Sequence, residues 1–284
     1  MTAVAAPAGF SIGSVISRLF AVLGRNFVTF LLLSVLLVGL PTAVISFIQL
    51  TAMAPLLNPP ASADAANALV ADAFSPLRIG LGFAAFLVAL AGNAILQGAV
   101  IHATVSDLSG RRVSFGESLA TGFRFFLPLV GIGLIVGIAC VIGLIFFIVP
   151  GVLLWLAWSV AAPAEVVERV GVFGALGRSM ELTHTHRGAI FALAVVYIVI
   201  LWIVQILMQG VLGVGFASSA AAMAASGGRA SQGFQNLLLM QTVINLVQNT
   251  LFASLSSAGI ASIYFELRQT KEGVGVEQLA AVFD

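Results

Sequence analysis

The sequence predicts an all-α, polytopic membrane bundle of six transmembrane helices, and three observations carry that prediction. Of its 284 residues 60% are hydrophobic and 8% are charged, whereas a soluble fold needs roughly a quarter charged residues to solvate its surface. The second is the length of the charge-free stretches, from Arg25 to Asp64, Arg78 to Asp107, Arg124 to Glu165, Arg187 to Arg229 and Arg229 to Glu266. About 20 apolar residues are needed to cross roughly 30 Å of hydrocarbon, and the third stretch holds two such runs separated by Pro150-Gly151. The third is the basic residues. With six spans, Arg18, Arg25, Arg111, Arg112, Arg124, Arg169, Arg178, Arg187, Arg268 and Lys271 share the face of both termini, and only Arg78 and Arg229 oppose them. Lys and Arg stay on the cytoplasmic side during insertion, so both termini are expected there.

The same composition excludes other classes. A net charge of +1 leaves no basic field to hold nucleic acid through counterion release. Cys140 is the only cysteine, which removes disulfide frameworks, Cys-based zinc sites and iron–sulfur clusters together. No cofactor is expected.

In chain order, residues 1–26 form the first amphipathic segment. Ile12, Val15, Ile16, Leu19, Phe20 and Leu23 recur at helical spacing, with Ser14, Ser17, Arg18 and Arg25 on the opposite face. The apolar run that follows is too long for a signal-peptide core, so a retained anchor is expected. Spans are placed at 27–50, 79–105, 127–148, 152–167, 188–212 and 237–264, within a membrane domain of 27–265 that is followed by a cytoplasmic tail of 266–284. Pro150-Gly151 is taken as the reversal between spans three and four. The outer connections, 51–78 and 214–235, are rich in Ala and carry no catalytic constellation.

Amphipathic segments recur before spans three and five. Phe115, Leu119, Phe123 and Phe126 oppose Glu117, Thr121 and Arg124; Val166, Val170, Phe173 and Met180 oppose Glu168, Arg169, Arg178 and Glu181. Such helices lie in the interface with their cations at anionic headgroups. Arg18, Arg25, Arg124, Arg178 and Arg187 are the candidate headgroup contacts, and membrane lipids or a membrane protein are the expected partners.

Ile148 to Leu154, then Trp158, Ala162-Pro163, Glu168, Ser179 to Thr183 and Arg187 resemble the bacterial glycerophosphoryl-diester phosphodiesterase membrane-domain family and the related YciC-like inner-membrane proteins. The resemblance is strongest over residues 148–200. It implies a six-span bundle in a bacterial inner membrane and no activity, because in that family a separate soluble domain carries the chemistry. With the sequence ending at Asp284, that catalytic half is expected to be absent.

Candidate chemistry is sparse. Glu181, His184 and His186 supply metal-ligating groups, but His184 and His186 are two residues apart and a continuous helix would point them in different directions. No catalytic or metal site is therefore expected. Inside the spans lie amides: Asn93 and Gln97 in span two, Gln205 and Gln209 in span five, and Gln241, Asn245, Gln248 and Asn249 in span six. A bare amide in hydrocarbon costs several kcal/mol. Two readings stay open: a polar seam formed by spans two, five and six that receives a headgroup or small solute, or interhelical hydrogen bonds that only fix packing. In span three, Gly133 and Gly137 form a G-x-x-x-G, expected to mark close packing within the chain. The leading expectation is a non-enzymatic inner-membrane protein that binds or organises lipids or a partner; the alternative is a small transporter or lipid translocator.

Overall fold

The computed structural model describes residues 10–53, 62–112, 114–225 and 232–273, and among these it is all-helical. The helices are α1 (Ile12–Arg25), α2 (Phe27–Ser34), α3 (Leu40–Met53), α4 (Ala63–Ala73), α5 (Pro76–Leu108), α6 (Phe115–Phe146), α7 (Ile148–Ala157), α8 (Ala161–Glu168), α9 (Gly171–Thr183), α10 (Arg187–Ala225) and α11 (Gln232–Glu272). Six stretches are long and apolar enough to span a membrane: Phe27–Ile48, Pro76–Leu108, Phe115–Phe146, Ile148–Glu168, Arg187–Ser218 and Asn236–Glu272. Residues 1–9, the middle of the 51–78 connection, Ser226 to Gly228 of the second outer connection and the tail beyond 273 lie outside the described residues.

Local chemistry explains the helix ends. Ser11 Oγ accepts from the Ser14 amide at 3.4 Å to start α1. Ser114 and Glu117 close a reciprocal capping box at the start of α6, satisfying two backbone donors that the helix itself leaves over. Between α2 and α3 the backbone widens into a π turn, Val35–Gly39. Pro41 follows it and has no N–H to give the helix, and a local change of hydrogen-bond pitch is one way a spanning helix absorbs that loss.

Two expected features fall elsewhere. The reversal between α6 and α7 is at Phe147, whose backbone is extended (φ −159°, ψ 142°), three residues before Pro150. Pro150 sits in the first turn of α7, where a missing N–H costs nothing because no intrahelical acceptor faces it. The fourth span is two helices, α7 and α8, joined by a turn through Trp158 to Val160. The amphipathic residues 114–126 are continuous with span three in α6, while 12–25 form the separate helix α1.

The helices divide into two compact units. One comprises the described parts of 1–37, 93–197 and 251–284; the other comprises those of 38–92 and 198–250. The first unit is built around α8, of which every residue from Ala161 to Val167 is buried. Tyr264, Ile101, Leu182 and Ile190 close over it. Ser34 and Ser254, both buried, hydrogen-bond through their hydroxyls between α2 and α11. In the second unit Arg78 pairs with Asp72 at 2.8 Å, and the Phe216 and Phe234 rings meet edge to face at 5.9 Å between α10 and α11.

Glycine sets the closest approaches, at other positions than the expected pair. Nothing lies within 4 Å of where a Cβ would sit on Gly133 or Gly137. At Gly143 a Cβ would come 2.8 Å from the Gly151 Cα, so the α6–α7 hairpin closes backbone to backbone. At Gly122 it would strike the Ile95 carbonyl oxygen of α5. Gly143→Ala and Gly122→Ala are therefore expected to destabilise by about 1–3 kcal/mol through overpacking, with Gly133→Ala close to neutral. Thermal unfolding of the three variants in one detergent checks this ranking.

Candidate functional site

The first unit gathers most of the charge. The last two turns of α11 carry Tyr264, Glu266, Arg268, Gln269 and Glu272, and these bind α1 on one side and α8 and α9 on the other. From α1, Arg18 donates to Glu266 Oε2 at 2.6 Å and to Gln269 Oε1 at 2.8 Å, while Ser14 Oγ donates to Glu266 Oε1 at 2.7 Å. Arg18 also lies over the Phe265 ring, 5.2 Å from its centre. From α9, Arg178 Nε donates to Glu168 at 2.9 and 3.1 Å, one terminal nitrogen donates to Glu181 at 3.0 Å, and the other donates to Glu272. Tyr264 Oη donates to Glu168 Oε1 at 2.7 Å, and Arg268 Nε donates to Glu272 Oε2 at 2.9 Å. Lys271 Nζ completes the set by donating to the Glu181 carbonyl at 2.6 Å.

Burial disfavours the charge on Arg178, yet the carboxylates of Glu272, Glu181 and Glu168 outweigh it and hold the guanidinium more firmly protonated than usual. Arg25 is likewise held by Asp107, whose Oδ2 accepts from Nε at 3.1 Å and from a terminal nitrogen at 2.6 Å. Of the five candidate headgroup arginines, Arg18, Arg25 and Arg178 are thus engaged by carboxylates of their own chain. Arg124 is exposed with its guanidinium 5.8 Å from the Phe125 ring. Arg187 is half-buried, and among the described residues its Nε has no hydrogen-bond partner.

The amides are distributed over both units. Asn93 is exposed and Gln97 half-buried in the first unit. In the second, Gln205, Gln209 and Asn249 are exposed, while Gln241 Nε2 donates to Asn245 Oδ1 at 2.9 Å one turn along the same helix. Gln248 is buried, and among the described residues its Nε2 has no hydrogen-bond partner. Among the described residues no group of three or more His, Cys, Asp or Glu is placed to hold a metal ion. Glu181 pairs with Arg178, His184 is exposed, and the His186 ring rests against Phe10, 5.4 Å between centres. Burial, then Lys271, lowers the His186 pKa.

A further cluster has no counterpart among the candidates picked from sequence. α5 ends in a tight turn in which Gly110 takes a left-handed conformation (φ 78°), its amide donates to the Asp107 carbonyl at 3.0 Å, and the Arg111 amide reaches back to the Ser106 carbonyl at 2.9 Å. That turn delivers Arg111 and Arg112. α8 ends at Arg169, which itself is left-handed (φ 54°, ψ 41°). The three arginines border a cavity of about 300 Å³, to which α5 adds His102 and Ser106 and α6 adds Glu117 and Thr121. The signal in the sequence was the adjacent pair Arg111-Arg112; nothing in the local sequence announces that Arg169 joins it.

Over 94 residues the chain is 33% identical to a UPF0259 membrane protein of Yersinia pestis (strain Pestoides F). It matches a UPF0259 membrane protein of Yersinia pseudotuberculosis serotype O:1b (strain IP 31758) to the same extent. The match covers 33% of this chain and 37% of either relative, so the chain spans little more than a third of the length of the curated relatives it matches. Neither name states an enzymatic activity. No family model and no solved structure matches. With the six apolar helices, the similarity supports a multi-pass membrane protein with bacterial relatives.

The network around Arg178 makes a structural prediction. Arg178→Met leaves three carboxylates without their shared cation and is expected to destabilise the protein by about 2–4 kcal/mol, whereas exposed Arg124→Met changes stability by less than about 0.5 kcal/mol. The test is thermal unfolding in lipid-free detergent. Equal midpoints for the two variants would mean that Arg178 serves something other than this network.

Proposed function

We propose that the chain is a non-enzymatic protein of the bacterial inner membrane that binds and organises membrane lipids, with α1 and α9 lying in the cytoplasmic headgroup layer. One observation carries the reading: α1 and α9, which lie outside the six apolar spans, bury part of their apolar surface in the unit, Val15 and Val22 in α1 and Leu176 and Leu182 in α9, yet each leaves a large phenyl ring projecting outward. Arg18 and Ser14 of α1 bond to Glu266, while Phe20 is 61% exposed; Arg178 and Ser179 of α9 bond within the unit, while Phe173 is 79% exposed. In water that arrangement would squander the hydrophobic effect. At a bilayer surface the same phenyl rings enter the acyl boundary and are stabilised by it.

The similarity to UPF0259 membrane proteins agrees with the coarser part of this reading. The direct test is mass spectrometry of lipids and proteins retained after mild purification from native membranes, against an unrelated six-span control. Enrichment of a lipid class is the expected result. A stoichiometric protein partner with no lipid enrichment would replace lipid handling with an assembly role.

A second reading, a small transporter or lipid translocator, has one observation in its favour. Among the described residues the buried Gln248 Nε2 has no hydrogen-bond partner, and on the same helix Gln241 donates to Asn245. If these amides line a path, replacing Gln241, Asn245 and Gln248 by Leu preserves folding and abolishes movement of the cargo. If they are packing bonds, the triple variant fails to assemble, as read by gel-filtration profile and melting temperature.

A further inference from the structure

We infer that the cavity bordered by Arg111, Arg112 and Arg169 is a phosphate-binding site, filled either by the headgroup phosphate of an anionic phospholipid or by phosphate from the aqueous phase. The site deepens the lipid-binding reading and rests on it for the lipid source alone.

Charge is the first argument. Three guanidiniums border this cavity with one carboxylate, Glu117, which accepts from the Ser114 amide at 2.9 Å and feels the charge of Arg111, so the cations outnumber the anion by three to one. Elsewhere in the unit Arg18, Arg25, Arg178 and Arg268 are matched by Glu266, Asp107, Glu168 and Glu272. Arg112 and Arg169 form no ion pair among the described residues. Cations gathered around one space repel each other, and an anion entering that space reverses the sign of the interaction. Guanidinium forks match the spacing of phosphate oxygens, and the hydroxyls of Ser106 and Thr121 add donors of the kind phosphate accepts.

Backbone geometry is the second argument. A left-handed conformation costs a residue with a Cβ about 1–2 kcal/mol, and glycine, which occupies the equivalent conformation at Gly110 and Gly171, avoids that cost. Arg169 stands where glycine would fold more easily, and its placement there brings a third guanidinium to the cavity. The negative end of a helix dipole favours a cation beyond α5 and beyond α8 separately; it does not account for their convergence on one cavity.

Size and depth are the third. A volume of about 300 Å³ lies at the lower limit of ligand pockets, suited to a headgroup and too small for acyl chains. His102 and Ser106 lie in the last turns of α5 and Glu117 and Thr121 in the first turns of α6, the ends of two apolar spans, while Arg111 and Arg112 follow α5 and Arg169 follows α8.

The test uses the full chain in phosphatidylcholine nanodiscs, comparing wild type with Arg112→Gln, Arg169→Gly and, outside the cavity, Arg78→Gln, whose arginine pairs with Asp72. Inorganic phosphate is titrated from the aqueous phase, and phosphatidylglycerol is introduced into the discs and followed by native mass spectrometry. A phosphate-bearing probe should bind wild type and Arg78→Gln alike and bind Arg112→Gln and Arg169→Gly about tenfold more weakly. Arg169→Gly should melt at the same temperature or higher, because it relieves the left-handed strain, so weaker binding cannot be laid to misfolding. Sensitivity of phosphatidylglycerol alone identifies the lipid source, and sensitivity of inorganic phosphate identifies the aqueous one. If neither probe binds, or both bind the cavity variants as they bind wild type, the site is refuted. Phosphatidylglycerol bound equally by all variants refutes the site and leaves lipid binding standing; phosphate bound at the cavity, without lipid enrichment from native membranes, does the reverse.

Discussion

Arg178 stands among Glu168, Glu181 and Glu272, and the arrangement of the first unit depends on that contact. Glu168 is the last residue of α8, a helix buried on all sides, so its carboxylate is held near a dry interior where an unpaired charge is costly. The guanidinium of Arg178 and the hydroxyl of Tyr264 supply what water would otherwise supply. In doing so they fix α9 and α11 against the end of α8. Glu266 repeats the device for α1, accepting from Arg18, Ser14 and the Ser11 amide. These polar groups, with Val15, Val22, Leu176 and Leu182, are thereby committed to the protein, and the rings of Phe20 and Phe173 are what remain for the surroundings.

This commitment divides the arginines into two kinds. Those with carboxylate partners hold helices together, and their positive charge is largely cancelled within the chain. Arg112 and Arg169 form no ion pair among the described residues and stand at a cavity that Arg111 also borders. A count of basic residues per face treats both kinds alike. Only the pairing separates charge that builds the fold from charge that remains to attract an anion.

The six spans were legible because the property that defines them, about 20 residues without charge, is written along the chain. The amphipathic face of α1 was legible for the same reason, since helical periodicity is local. Close packing was not: Gly133 and Gly137 carry the familiar spacing and meet nothing, while Gly143 meets Gly151 across a hairpin whose turn falls at Phe147, not at the proline. Proline signals a helix boundary without saying on which side of it the boundary falls, because the first turn of a helix tolerates it. The fate of the arginines was least legible of all. Arg18 meets Glu266 across 248 residues of chain, and no local pattern encodes such a pair. The amides of Gln241 and Asn245 could be recognised as a stripe from spacing alone, yet their bond to each other, one turn apart, is a choice made by the side chains in place.

The separation in sequence between Glu168 and its partners in α11 has a consequence for how the protein is made. Tyr264 follows Glu168 by 96 residues, which at the usual pace of translation is on the order of five to twenty seconds of synthesis. Arg178 emerges only ten residues after Glu168 and can neutralise it early. For the remaining interval α8 has neither the tyrosine nor the second arginine that close over its end, and being short and interrupted from α7 it is a poor candidate to rest alone in lipid. The nascent chain must therefore keep α8 sheltered, against α6 and α9 or within the insertion machinery, until the end of α11 arrives. Closure of the polar network over the end of α8 therefore waits for α11, translated long after it.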